Sequence, residues 1–115
     1  MNDLLSKKCV PCEGGELPLT KKQAEMLLPQ VSGWALHGEK VIGRAFMFKD
    51  FASAMRFVNA VADLAESEGH HPDISIHGWN NVSLTLSTHA IKGLSGNDFI
   101  MAAKINEIVK KFSVS

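Results

Sequence analysis

Residues 50–89 read DFASAMRFVNAVADLAESEGHHPDISIHGWNNVSLTLSTH, and a change of period inside this stretch decides the fold. From Phe51 to Ser67 the apolar residues Phe51, Ala54, Met55, Val58, Val61, Ala62 and Ala65 recur at three- and four-residue spacing, the stripe of an amphipathic helix. Asp50 stands before it as an N-cap, and Gly69 after it as a left-handed stop. From Val82 the period falls to two. Val82, Leu84 and Leu86 alternate with Ser83, Thr85 and Ser87, as in a strand buried on one face only. DISIH (73–77) forms the strand before it, with the turn around Gly78. His89 closes the second strand on the parity of its polar residues.

Upstream, GWALHGEKVIGRAFMF (33–48) divides at Gly38-Glu39-Lys40 into another hairpin. Ile42, Arg44, Phe46 and Phe48 share one face of its second strand, and an arginine on that row has no explanation unless it sits near the strand end. Thr20 caps a short helix over KKQAEMLLPQ (21–30), ended by Pro29. Downstream, Ser95 and Asp98 have capping-box spacing, and Met101, Ile105, Ile108 and Phe112 supply the buried stripe of a last helix. The order α-β-β-α-β-β-α predicts a two-layer α+β sandwich: a four-stranded antiparallel sheet with three helices on one face. Residues 1–19, with Pro11, Gly14, Gly15 and Pro18, read as a loosely held arm, and 20–115 as a single domain.

Lysine plus arginine equals aspartate plus glutamate at 12 each, so the formal net charge is zero. A nucleic-acid or acidic-membrane binder carries a basic excess, so neither partner is expected. No run approaches the roughly 18 apolar residues of a membrane span, and the N-terminus lacks a signal-peptide core. A cytoplasmic protein with reduced Cys9 and Cys12 is expected.

Four of the five histidines fall between residues 70 and 89. Pro72 forces His71 into extended backbone, where successive side chains point to opposite sides, so His70 and His71 are poorly placed to chelate one ion. A single Cys9-Val-Pro-Cys12 without a second pair does not make a structural zinc site; a metalloprotein recruiting the histidines stands as a rival reading. His70, His71 and His89 together suit proton transfer, because imidazole alone persists in either protonation state near neutrality. Such a cluster supplies an acid and a base at once, as elimination of water requires. Glu66 and Glu68 stand near enough in sequence to favour a protonated imidazole, or are solvated helix-end charges. His37 and His77 receive no role. Trp34 and Trp79 are candidates for stacking on a ligand or for packing.

EGHHPDISIHGWNNVSLTLSTHAIKGLSGNDF (68–99) resembles the signature of the pterin-4a-carbinolamine dehydratases, also called 4a-hydroxytetrahydrobiopterin dehydratases, in a bacterial-type form. The matching elements are Glu66 to Pro72, Trp79-Asn80 and Val82, Leu86-Ser87-Thr88-His89, Gly93-Leu94 and Asp98. The resemblance implies dehydration of 4a-hydroxytetrahydropterin to quinonoid dihydropterin, with no metal and no bound cofactor. It makes His70 and His89 the proton-transfer groups on either side of the 4a carbon, and gives His71 a positioning and shared acid-base role. Ser87, Thr88 and the backbone of Gly69 and Ala90 are then pocket residues, and Glu66 orients a histidine. Pro72 and Trp79, which belong to the same motif, are placed among the substrate-binding residues. Asp98 is a site residue or a purely structural helix-start carboxylate. The resemblance further implies pterin recycling beside an aromatic amino acid hydroxylase, or molybdopterin or other pterin metabolism where that hydroxylase is absent, and a homodimer or homotetramer. The alternative it carries is an interaction module, a dimerisation cofactor of a transcription regulator.

Overall fold

The computed structural model describes residues 4–11 and 16–112 of the chain. Cys12 lies outside the described residues. Helix α1 (Lys21–Leu27) starts at a full capping box: Thr20 Oγ1 accepts the Gln23 N–H, and the Gln23 side chain accepts the Thr20 N–H. Strands β1 (Ala35–His37) and β2 (Val41–Met47) form the first hairpin across residues 38–40. Helix α2 (Phe51–Glu68) is capped by Asp50, whose carboxylate accepts the Ser53 N–H at 2.7 Å, and Gly69 ends it at φ 68°. Strands β3 (Asp73–His77) and β4 (Asn81–Leu86) follow, then helix α3 (Gly96–Val109).

The strands form one antiparallel sheet in the order β1-β2-β4-β3. Ile42 pairs with Leu86 and Phe46 with Val82, which places the apolar residues of both central strands on one face. Val82, Leu84, Leu86, Ile42 and Phe46 are buried there with Phe57, Val61, Met101 and Ile105 from the two long helices, and Ala24 of α1 joins the same core. This is the α+β sandwich the pattern predicts. Phe46, Phe48 and Phe57 meet at ring-centroid separations of 4.8–6.4 Å, and Phe112 closes the cluster edge-on.

Three local expectations need correction. The inward line of α2 runs through Ala54, Phe57, Val61 and Ala65, while Phe51 and Ala62 face solvent. Ala62 lies about 100° around the helix from Val61, and Phe51 sits in the first turn, off the contact line. Arg44 is not at a strand end, since it pairs with Leu84 in mid-sheet. Its guanidinium instead donates to Asn106 Oδ1 at 2.6 Å and lies over the Phe46 ring at 4.5 Å. Trp34 donates to the same Asn106 oxygen and is a core residue.

The third correction is His89. β4 ends at Leu86, and Thr88 and Gly93 bond each other's backbones across a short 3-10 turn, His89–Ile91. The direction of the His89 side chain is therefore set by a turn, not by strand parity.

The register also decides where the histidines go. Asp73, the first residue of β3, pairs with Thr85 near the end of β4. Antiparallel pairing thus brings the segment preceding β3 beside the segment following β4. His70-His71-Pro72 and Ser87-Thr88-His89 emerge at the same end of the sheet.

Candidate active site

A cavity of about 260 Å³ opens at that end of the sheet, and His70, His71 and His89 all line it. Gly69, Ser87, Thr88 and Ala90 line it as well, each expected from sequence. The volume lies just below the roughly 300–1,000 Å³ of drug-sized ligand pockets, so it suits a small heterocycle.

The adjacent histidines diverge, as extended backbone before proline requires. His70 turns inward, its side chain 12% exposed, and its Nε2 lies 2.6 Å from Oδ1 of the fully buried Asp98. His71 turns outward and meets Glu66 Oε2 at 2.6 Å, both groups exposed. Glu66 thus orients a histidine. His89 is exposed on its turn.

Asp98 serves two structures. Its Oδ2 accepts the Ser95 N–H at 3.0 Å, which closes the capping box of α3, and also accepts the Thr88 hydroxyl at 2.8 Å. With the Thr88 hydrogen committed to the carboxylate, the Ser95 hydroxyl donates to Thr88 across 2.7 Å. The network leaves no described buried side-chain polar atom unpaired. It fixes the carboxylate, and the carboxylate fixes the ring. The Asp98 contact occupies Nε2 of His70 and leaves Nδ1 for other partners.

Pro72 and Trp79 do not line this cavity. Trp79 sits at the β3–β4 hairpin tip, beyond the His77–Asn81 pair, which is four steps, or roughly 13 Å along the strands, from the Asp73–Thr85 end. It is 60% exposed there with φ 59°. Glu68 is no solvated helix-end charge. Its side chain is 6% exposed and bonds Lys104 Nζ at 2.7 Å and the Cys9 N–H at 2.8 Å. The Lys104 ammonium, then the Cys9 amide, hold its carboxyl below the usual carboxylate range. Among the described residues, no three His, Cys, Asp or Glu side chains are grouped as metal ligands.

Three lining residues were not expected from sequence: Val10, Pro11 and Asn97. The arm is not loosely held where it is described. Leu4 is buried in the core, and Asn97 pairs with the backbone of Val10. The pairing spans 87 positions, and no local pattern announces a contact at that separation.

A family model described as pterin 4 alpha carbinolamine dehydratase matches residues 17–108. The chain is 49% identical over 110 residues to "Pterin-4-alpha-carbinolamine dehydratase 2, mitochondrial" of Arabidopsis thaliana, covering 92% of this chain and 59% of that protein's length. A relative in Azoarcus sp. (strain BH72) is 48% identical over 110 residues, covering 94% of this chain and 92% of its own. Among solved structures, a transcriptional coactivator/pterin dehydratase from Brucella melitensis superposes with a TM-score of 0.73 at 37% identity, covering 79% of this chain and 97% of that one.

Proposed function

The chain belongs to the pterin 4 alpha carbinolamine dehydratase family, and from that premise we propose that its histidine cavity dehydrates a 4a-hydroxytetrahydropterin to quinonoid dihydropterin. The observation that carries this reading is the convergence of His70, His71 and His89 on one small cavity, with His70 held by a buried carboxylate.

The chemistry follows from what must move. The C4a–O bond breaks as the N5 lone pair forms a C4a=N5 double bond. The departing hydroxyl takes up a proton and leaves as water, and N5 gives its proton to a base. One proton is supplied and one removed, so two groups on opposite sides of the 4a carbon serve the reaction. His70 and His89 take those roles, from segments on either side of the β3–β4 hairpin. Asp98 offsets the charge on His70 whenever that ring is protonated, as a buried carboxylate does for a catalytic imidazole. His71, paired with the exposed Glu66, positions the substrate and shares the acid-base work.

We place the activity in pterin recycling beside an aromatic amino acid hydroxylase, in the cytoplasm. Among the described residues, edge strands β1 and β3 each leave one side unpaired, which supports assembly of two or four copies through strand pairing. A second reading is favoured by the double description of the Brucella relative: an interaction module without significant catalysis. Incubating the purified protein with chemically generated 4a-hydroxytetrahydropterin separates the two. Acceleration over the buffer rate supports the enzyme; none leaves the interaction module.

A further inference from the structure

The Val10–Pro11 peptide borders two cavities, the histidine cavity and a larger, more apolar one of about 510 Å³, to which Leu17, Leu19, Ile91 and Ile100 contribute. Val10, Pro11 and Asn97 border both.

The position of this peptide is tightly specified. Asn97 clasps Val10 at two points: its Oδ1 accepts the Val10 N–H at 3.0 Å, and its Nδ2 donates to the Val10 carbonyl at 2.6 Å. One residue earlier, the Cys9 N–H donates to Glu68, which Lys104 holds from its other oxygen. Core burial does not account for this, since Val10 is 65% exposed. Both latching residues lie beside the catalytic ring or the carboxylate that holds it. Asn97 precedes Asp98, which holds His70, and Glu68 lies two positions before His70 itself. The two helix ends that set the imidazole therefore also set the arm.

We propose that Val10 and Pro11 are substrate-binding residues, the apolar edge against which the heterocycle packs, and that Asn97 is the positioning residue that places them. This rests on the reading of the histidine cavity as the pterin site. An apolar edge that contacts substrate and transition state alike contributes uniform binding, so its loss appears in KM while kcat is retained. A residue serving only the stability of the fold produces no such split.

The test compares wild type, Asn97→Ala, and a Val10→Gly/Pro11→Gly double variant that keeps every latching side chain and alters only exposed positions. Both variants should raise KM for the 4a-hydroxytetrahydropterin about 5- to 20-fold, with kcat within about twofold of wild type. An unchanged KM, or a fall confined to kcat, overturns the proposal; if Asn97→Ala does not fold, the double variant decides alone. Latching is read separately, without turnover, in a Cys12→Ser background where Cys9 is the sole thiol. Burial, then the nearby Glu68, pushes the docked Cys9 thiol up to about 12, so it alkylates slowly. Asn97→Ala should speed its labelling by iodoacetamide about tenfold. Equal labelling rates overturn the arm inference alone. Absence of wild-type turnover overturns the functional reading of the cavity, and the substrate role of the arm with it.

Discussion

Asp98 bonds His70 through Oδ1 at 2.6 Å while its Oδ2 caps its own helix, so one buried carboxylate ties the start of α3 to the loop after α2. Asp98→Asn preserves the shape but presents an amide that can turn its NH₂ toward the ring and reverse the tautomer. The expected result is a fall in kcat of up to about 10⁴-fold, the scale seen when an orienting carboxylate behind a catalytic histidine is made an amide. Steady-state kinetics check this; a variant with wild-type kcat would remove Asp98 from the mechanism.

His71 and His89 should separate kinetically. His89→Ala should lower kcat by about 10²–10⁴-fold, the worth of a general acid or base. Its thermal midpoint should barely move, because the side chain is exposed. His71→Gln breaks only an exposed pair with Glu66, so stability should stay within about 0.5 kcal/mol. Its effect should fall more on KM than His89→Ala does. Equal, small effects in both variants would contradict the assigned roles.

Stability should depend on pH through Glu68. Its carboxyl is held below the usual range in the folded protein, so the unfolded chain binds more protons over the interval between the two values. The stabilisation is present in full above the unfolded value of about 4.3 and is lost as pH falls through the folded one. Glu68→Gln should therefore be less stable than wild type at pH 7, with the gap narrowing below about pH 5. Urea midpoints at pH 7 and in acid measure this. A gap equally wide at both would contradict the linkage.

Phe57 is fully buried among Phe46, Phe48 and Phe112. Phe57→Ala should cost about 3–5 kcal/mol in denaturant unfolding, the usual price of an aromatic core truncation. A cost below about 1 kcal/mol would mean the cluster collapses around the gap.

The parts legible in sequence are those set by local chemistry. Thr20, Asp50, Gly69 and the Ser95–Asp98 pair occupy the caps their side chains favour, and the alternation from Val82 to Leu86 gives the buried face of β4. The three histidines were legible as a set because the register needs only an antiparallel hairpin to bring their segments together. What was not legible depends on packing across the chain. The Asp98–His70 contact spans 28 positions and requires α3 to start against the end of α2. The arm's place at the cavity rests on Asn97, an amide on which helix periodicity says nothing. Trp79 read as a site residue from its motif, and the hairpin carries it to the opposite end of the strands.

One comparison reaches the centre of this account: the rate of loss of 4a-hydroxytetrahydropterin with wild-type protein, with His70→Ala, and in buffer. Wild type should exceed buffer clearly, and His70→Ala should lose about 10²–10⁴-fold of that turnover while unfolding near the wild-type midpoint. A wild-type rate equal to buffer, or a His70→Ala protein as fast as wild type, would contradict it.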